Sequence, residues 1–134
     1  MTKKVTIAAA QIAPIFLDKV KTVQKACEAI LEAGDKGAEL IVFPEAFISG
    51  YPDWVWLIPN SKGADLNELY VKLVENAVSV PDDATRKLCD AAKKAKIHVV
   101  MGMHERNSET SGASLFNSLL FIDNKGLIVG KHRK

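Results

Sequence analysis

Two short, almost wholly apolar runs enclose one amphipathic segment in the first third of the chain. The runs cover 5–12 and 40–43, and their β-branched residues are typical of strands buried on both faces. Between them, apolar residues recur at helical spacing from the N-cap candidate Asp18 to about Ala33, and Gly34 is expected to end this helix. A strand, a helix and a second strand with short joints predict a parallel βαβ unit, and hence an α/β domain.

The rest of the chain predicts more elements of the same domain. They are helices at 66–77 and from Asp82 or Asp83 to Ala95, strands at 98–103, 115–122 and 127–130, and a polar turn at 107–112. The segment 123–126 is a hairpin signal, so the last two strands are expected to be antiparallel. Because the sequence contains no internal repeat or linker, we expect residues 1–134 to form a single domain.

Composition and charge exclude several classes of partner. The chain is 48% hydrophobic and 25% charged, with a formal net charge of +2, which is too small to indicate binding to nucleic acid or to an anionic membrane. No apolar run reaches the length of a transmembrane helix. The two cysteines and three histidines show no metal-ligand spacing. We therefore expect a cytoplasmic protein that needs neither a metal nor a cofactor.

Glu45 is the candidate for chemistry that the strand pattern singles out. Pro44 cannot donate to a sheet, so the strand 40–43 ends there and Glu45 lies at its carboxyl end. Ligands of open α/β sheets gather beyond that end. Burial beside the aromatic residues of the following loop would raise the pKa of Glu45 toward the range of a general base. An exposed loop glutamate is the alternative that the local sequence leaves open.

Six motifs, in this order, resemble those of the nitrilase branch of the carbon–nitrogen hydrolases. They are Ala8-Ala9-Ala10-Gln11, Phe43-Pro44-Glu45-Ala46-Phe47, Gly50-Tyr51-Pro52, Gly102-Met103-His104-Glu105-Arg106, Phe116-Asn117-Ser118 and Gly130-Lys131-His132-Arg133-Lys134. The resemblance covers the whole chain. It implies a nitrilase-type αββα four-layer sandwich of two sheets, of which this chain would form a part.

The resemblance also implies roles for individual residues. Glu45 corresponds to the general base of the family, and Lys134 to the lysine that stabilises the tetrahedral intermediate. Tyr51 and Trp54 would line the substrate pocket, and Asn117 would form hydrogen bonds around the site. For these three residues, core packing and local backbone hydrogen bonding remain open alternatives.

The nucleophilic cysteine of the family follows the lysine in a Cys-Trp-Glu-Asn context. We therefore expect this chain to be truncated on its C-terminal side, before that cysteine. Cys27 lies on the apolar stripe of the first helix and Cys89 lies within a later helix, so both are expected to be packed, inert thiols. His104, Glu105 and Arg106 are expected to form a structural ion-pair network near the site, with Glu105 available as a support for Lys134.

The predicted function is hydrolysis of a nitrile to a carboxylic acid and ammonia through a cysteine thioimidate and thioester. The substrate would be a small nitrile, with cyanide, aliphatic nitriles and arylacetonitriles all open. An amidase of the same superfamily, or a non-catalytic interaction module of this fold, are the alternatives. The resemblance implies a homo-oligomer for the full-length protein, and we expect the 134-residue chain alone to be inactive.

Overall fold

The computed structural model describes residues 2–107, 109 and 111–134, so Ser108 and Thr110 of the predicted polar turn lie outside the described residues. The elements are β1 (Ile7–Ala9), α1 (Lys19–Asp35), β2 (Leu40–Val42), α2 (Trp54–Leu57), a 3₁₀ turn (Asn60–Lys62), α3 (Gly63–Glu75), α4 (Asp83–Ala95), β3 (His98–Arg106), β4 (Leu115–Ile122) and β5 (Ile128–Arg133).

The strands form one five-stranded sheet in the order β1-β2-β3-β4-β5. The first three strands run parallel, and β4 and β5 are antiparallel to their neighbours. In the turn between β4 and β5, the Asp123 amide donates to the Leu127 carbonyl at 2.9 Å. The predicted α/β class, the parallel βαβ unit and the antiparallel ribbon are therefore confirmed.

Helices α1 and α4 pack together and cover one face of the sheet. Ile30 of α1 and Leu88 of α4 share a buried cluster with Met101 of β3 and Leu120 of β4. Strand side chains that point to the opposite face of the sheet are more exposed, as Ile7, Val42 and Val129 illustrate. An apolar sheet face of this kind is what a second sheet covers in a four-layer αββα sandwich.

Side chains cap the two long helices at their N-termini. The Asp18 carboxylate accepts a hydrogen bond from the Lys21 amide at 2.9 Å, as predicted for α1. At α4, Asp82 and Thr85 form a reciprocal capping box, which settles the choice between Asp82 and Asp83. Within the part of the chain that the structure describes, no helix is long and apolar enough to cross a membrane.

Three local predictions in the first βαβ unit are wrong. The predicted central strand 5–12 is only three residues long and lies at the sheet edge, so Ile7 is exposed. Val20, which the helical spacing of the apolar residues places on the buried stripe of α1 with Val23 and Ile30, is 67% exposed. Gly34 lies inside α1, where a Cβ would come within 2.9 Å of the Cβ of Ala95. This glycine therefore allows close approach of α4 and does not end the helix.

Candidate active site

A tight crossing of two chain segments brings Glu45 to the carboxyl end of β2. The Phe43 amide donates to the Val100 carbonyl at 2.9 Å, which continues the pairing of β2 with β3 for one residue. Pro44 then passes directly over Gly102 of β3, where a Cβ would overlap the Pro44 carbonyl oxygen. Gly102 is therefore required for this path of the chain, which delivers Glu45 where the strand pattern predicts it.

Glu45 lies in contact with Asn117 and Lys134, and we call these three residues the Glu45 cluster. The Lys134 ammonium lies 3.0 Å from Oε1 of Glu45, and the Asn117 amide donates to the same oxygen at 2.5 Å. The Lys134 backbone amide also donates to the Asn117 carbonyl at 2.9 Å. With Leu119 and His132, the cluster lines a cavity of about 250 Å³.

The pKa of Glu45 is shifted in the direction opposite to the one predicted. Hydrogen bonds from Lys134 and then from Asn117, together with the positive charge of Lys134, hold the pKa of Glu45 below its usual value. The Glu45 side chain is 49% exposed, so desolvation is too weak to produce the predicted rise in its pKa. Glu45 in turn raises the pKa of Lys134. Both groups are therefore charged at neutral pH.

A second pocket of about 340 Å³ adjoins the cluster and shares Asn117 with the first cavity. Tyr51 and Trp54, the other residues predicted to bind substrate, lie on its wall. Tyr51 is 48% exposed, which simple core packing does not explain. Trp54 is half-buried, and its indole N–H is buried without an acceptor among the described residues. The remaining lining is mainly apolar and includes Tyr70.

Within the described ranges, His104 does not join the ion-pair network that the sequence predicted for it with Glu105 and Arg106. Its side chain is buried and lines the second pocket, and Nε2 lies 3.1 Å from the Gly50 carbonyl oxygen. Burial lowers the pKa of His104, so the ring is neutral and Nε2 donates this hydrogen bond. His104 thereby holds the loop that carries Tyr51. The sequence feature that could have identified His104 is its position in β3, two residues after Gly102 and therefore on the same face of the sheet.

Glu105 forms the predicted ion-pair network, but its partners are not the predicted ones. Arg133 donates to both carboxylate oxygens, from Nε at 3.0 Å and from Nη2 at 2.8 Å. Ser118 donates at 2.8 Å, and Lys131 completes the set. Burial alone would raise the pKa of Glu105, but the hydrogen bonds from Arg133, Lys131 and Ser118 outweigh burial and lower it to about 2. Lys134, which the sequence suggested as its partner, binds Glu45 instead.

Neither cysteine belongs to the Glu45 cluster. Cys27 on α1 and Cys89 on α4 pack against the core on the helix-covered face, as predicted. The Cys27 thiol lies 3.5 Å from the Lys87 carbonyl oxygen, and burial raises the pKa of both thiols. Among the described residues, no group of three or more His, Cys, Asp or Glu side chains is arranged to hold a metal ion.

Replacing Gly102 tests the chain crossing that presents Glu45. Gly102→Ala is expected to lower the free energy of unfolding by about 1–3 kcal/mol, because the new methyl group forces Pro44 away from β3. Gly63→Ala is the matched control, since a Cβ there meets nothing within 4 Å. Urea unfolding of both variants measures the difference. Equal stability of the two variants would show that the crossing tolerates a side chain.

Comparison with known proteins identifies the family. The carbon-nitrogen hydrolase family profile matches residues 6–134. An arylacetonitrilase from Aspergillus niger is 40% identical over 131 residues, which are 98% of this chain and 36% of that protein. An aliphatic nitrilase from Rhodococcus rhodochrous is 42% identical over 133 residues, 99% of this chain and 33% of that protein. This chain thus spans about a third of the length of these curated relatives.

A solved structure shares the fold. It is a mutant of the amidase from Nesterenkonia sp. AN1 that shows the result of Michael addition of acrylamide at its active site cysteine. The TM-score is 0.70 at 19% sequence identity, over 98% of this chain and 44% of that one. The resemblance seen in the sequence motifs is therefore confirmed, and this chain belongs to the carbon-nitrogen hydrolase family.

Proposed function

We propose that this chain is the part of a nitrilase-type hydrolase that supplies its general base, Glu45, and its stabilising cation, Lys134. The full-length protein would convert a nitrile and two waters into a carboxylic acid and ammonia. Its nucleophilic cysteine would lie outside these 134 residues. The observation that carries the proposal is the contact of Glu45 with Lys134 at 3.0 Å beside an open cavity.

In the proposed mechanism, the ionised Glu45 takes the proton of the cysteine thiol as its sulfur attacks the nitrile carbon. The product is a covalent thioimidate. Glu45 then assists a water that adds to this carbon, ammonia leaves, and a thioester remains. A second water hydrolyses the thioester, releases the acid and restores the thiol.

The electrostatics of the Glu45 cluster support these two roles. Lys134 and Asn117 stabilise the ionised form of Glu45, so the carboxylate is ready to accept a proton. The same ammonium would stabilise negative charge that develops on the substrate in each tetrahedral intermediate. Asn117 occupies Oε1 together with Lys134, so Oε2 of Glu45 is the oxygen that would receive the proton.

The proposal is tested by assaying the full-length protein for ammonia release from a panel of nitriles and the matching amides. Cyanide, aliphatic nitriles and arylacetonitriles would all be included. Turnover of nitriles to acids supports the proposal. Turnover of amides alone would identify an amidase of the same superfamily instead. Absence of both activities in a folded protein would favour a non-catalytic module.

The cysteines of this chain provide a further prediction. Cys27→Ala and Cys89→Ala in the full-length protein are each expected to leave kcat within about 2-fold of its original value, because both thiols pack on the face away from Glu45. Intact-mass analysis after reaction with an acrylamide probe checks the same point, since the covalent adduct should persist in both variants. Loss of the adduct in either variant would identify that thiol as the nucleophile.

A further inference from the structure

Glu105 is a buried acid that the proposed mechanism does not use. Its side chain is 3% exposed, and it accepts hydrogen bonds from three residues of the two last strands. These residues are Ser118, Lys131 and Arg133. A buried carboxylate with several hydrogen bonds fixes the positions of its donors, because withdrawing one of them leaves a carboxylate oxygen short of a hydrogen bond where water cannot replace it.

Two of the three donors to Glu105 are chain neighbours of the donors to Glu45. Ser118 directly follows Asn117 in β4, and Arg133 directly precedes Lys134 at the end of β5. Successive residues of a strand point to opposite faces of a sheet, so one residue of each pair faces Glu105 and the other faces Glu45. Ser118 and Arg133 are also direct partners in the register of β4 and β5.

We propose that Glu105 is a positioning residue, which acts through Ser118 and Arg133 to hold Asn117 and Lys134 within hydrogen-bond reach of Glu45. The inference deepens the proposed function and rests on it for the catalytic meaning of the Glu45 cluster. The contacts themselves are independent of that function.

The location of β5 explains why Lys134 needs a positioning residue. In the described sheet, β5 is an edge strand that pairs with β4 alone. Lys134 follows its last residue, and the lysine side chain is 76% exposed, so packing does little to fix it. Arg133 is held on both sides, because its guanidinium binds Glu105 and also lies 4.2 Å from the ring centre of Phe116. The fixed guanidinium anchors the backbone at the residue before Lys134.

The kinetic test uses Glu105→Gln in the full-length protein. Glutamine keeps the size of the side chain but removes the charge that Arg133 and Lys131 share. We expect kcat per titrated active site to fall about 10- to 100-fold, with KM changed by less than about 3-fold, because misplacing a catalytic group by about 1 Å costs rate of this order. Glu32→Gln, which removes the exposed pair with Lys36, is the matched control and should leave kcat unchanged.

A double variant separates positioning from a general effect on folding. If Glu105 acts through the Glu45 cluster, adding Glu105→Gln to Lys134→Met should lower kcat by less than about 3-fold further, since Lys134, the more exposed of the two groups being positioned, is already gone. A full multiplication of the two separate effects would overturn the inference. An unchanged kcat in Glu105→Gln alone would also overturn it.

Crystal structures test the positioning role of Glu105 without an activity assay. If the protein hydrolyses neither nitriles nor amides, that result refutes the proposed function but leaves this structural test valid. In Glu105→Gln, the Lys134 Nζ to Glu45 Oε1 distance should increase from 3.0 Å to beyond hydrogen-bond reach. Retention of that contact would refute the positioning role. If Glu105→Gln does not fold, Ser118→Ala removes one neutral donor to Glu105 instead. The same two readouts, kcat in the Lys134→Met background and the Lys134–Glu45 distance, then apply to Ser118→Ala.

Discussion

Glu45→Gln in the full-length protein is expected to lower kcat by about 10²- to 10⁴-fold while the fold remains intact. Glutamine has the shape of glutamate and can still accept the hydrogen bond from Asn117 through its amide oxygen. It cannot take a proton from a thiol or from an attacking water, so every proton-transfer step loses its base. The loss should appear in kcat, measured by ammonia release under saturating nitrile.

A matched control distinguishes lost chemistry from a lost ion pair. Glu68→Gln removes an exposed glutamate–lysine pair of similar length, 2.7 Å between Glu68 and Lys72 on α3, which makes no contact with the Glu45 carboxylate. Both variants should give the circular dichroism spectrum and melting temperature of the parent protein within a few degrees, because exposed pairs contribute little to stability. Retention of most activity by a folded Glu45→Gln variant would remove Glu45 from the mechanism.

The overall α/β arrangement could be predicted because it depends on long, periodic segments. Helix α4 shows why, since its buried alanines and Leu88 lie where the 3.6-residue period predicts them, and its cap, Asp82, is one of the two aspartates that the sequence offered. The first strand was predicted less well. The composition of 5–12 indicates burial, but whether a strand is central or at an edge depends on which strands pair with it, and that is not a local property.

The members of the site could be predicted better than their electrostatics. Proline at the end of β2 locates Glu45, and the motif resemblance points to Lys134 and Asn117, three residues that meet in the folded chain. The pKa of Glu45 could not be predicted, because its direction depends on whether desolvation or a facing cation is stronger. That balance required the distance between residues that are 89 positions apart in the sequence.

The division of charges between the two faces of β5 was also hidden from the sequence. The motif Gly130–Lys134 contains two lysines and an arginine in addition to His132, and the local sequence does not show which of these basic residues pairs with Glu45 and which with Glu105. Strand alternation separates them, so that Lys131 and Arg133 bind Glu105 while Lys134 binds Glu45. One residue of shift in the register would exchange the two sets.

Lys134→Met is the second variant with a large expected effect, and it separates two roles of the ammonium. Methionine has a similar length but no charge, so stabilisation of the tetrahedral intermediates is lost, at about 3–4 kcal/mol or roughly 10²- to 10³-fold in kcat. KM should change little, since the neutral substrate carries no charge for Lys134 to bind. The exposed Lys72→Met change is the control and should leave kcat unaltered.

The pH dependence of kcat/KM in Lys134→Met provides an independent test of the role of Lys134. Lys134 holds the pKa of Glu45 below its usual value, so removing the ammonium should raise that pKa, and the acidic limb of kcat/KM should move to higher pH. His132 lines the same cavity, so His132→Asn is the control that shows whether the position of the limb depends on this neighbour. A higher KM with unchanged kcat and an unmoved acidic limb of kcat/KM would make Lys134 a substrate-binding residue. A cation that acts on both the tetrahedral intermediate and Glu45 must change kcat and the position of the acidic limb together.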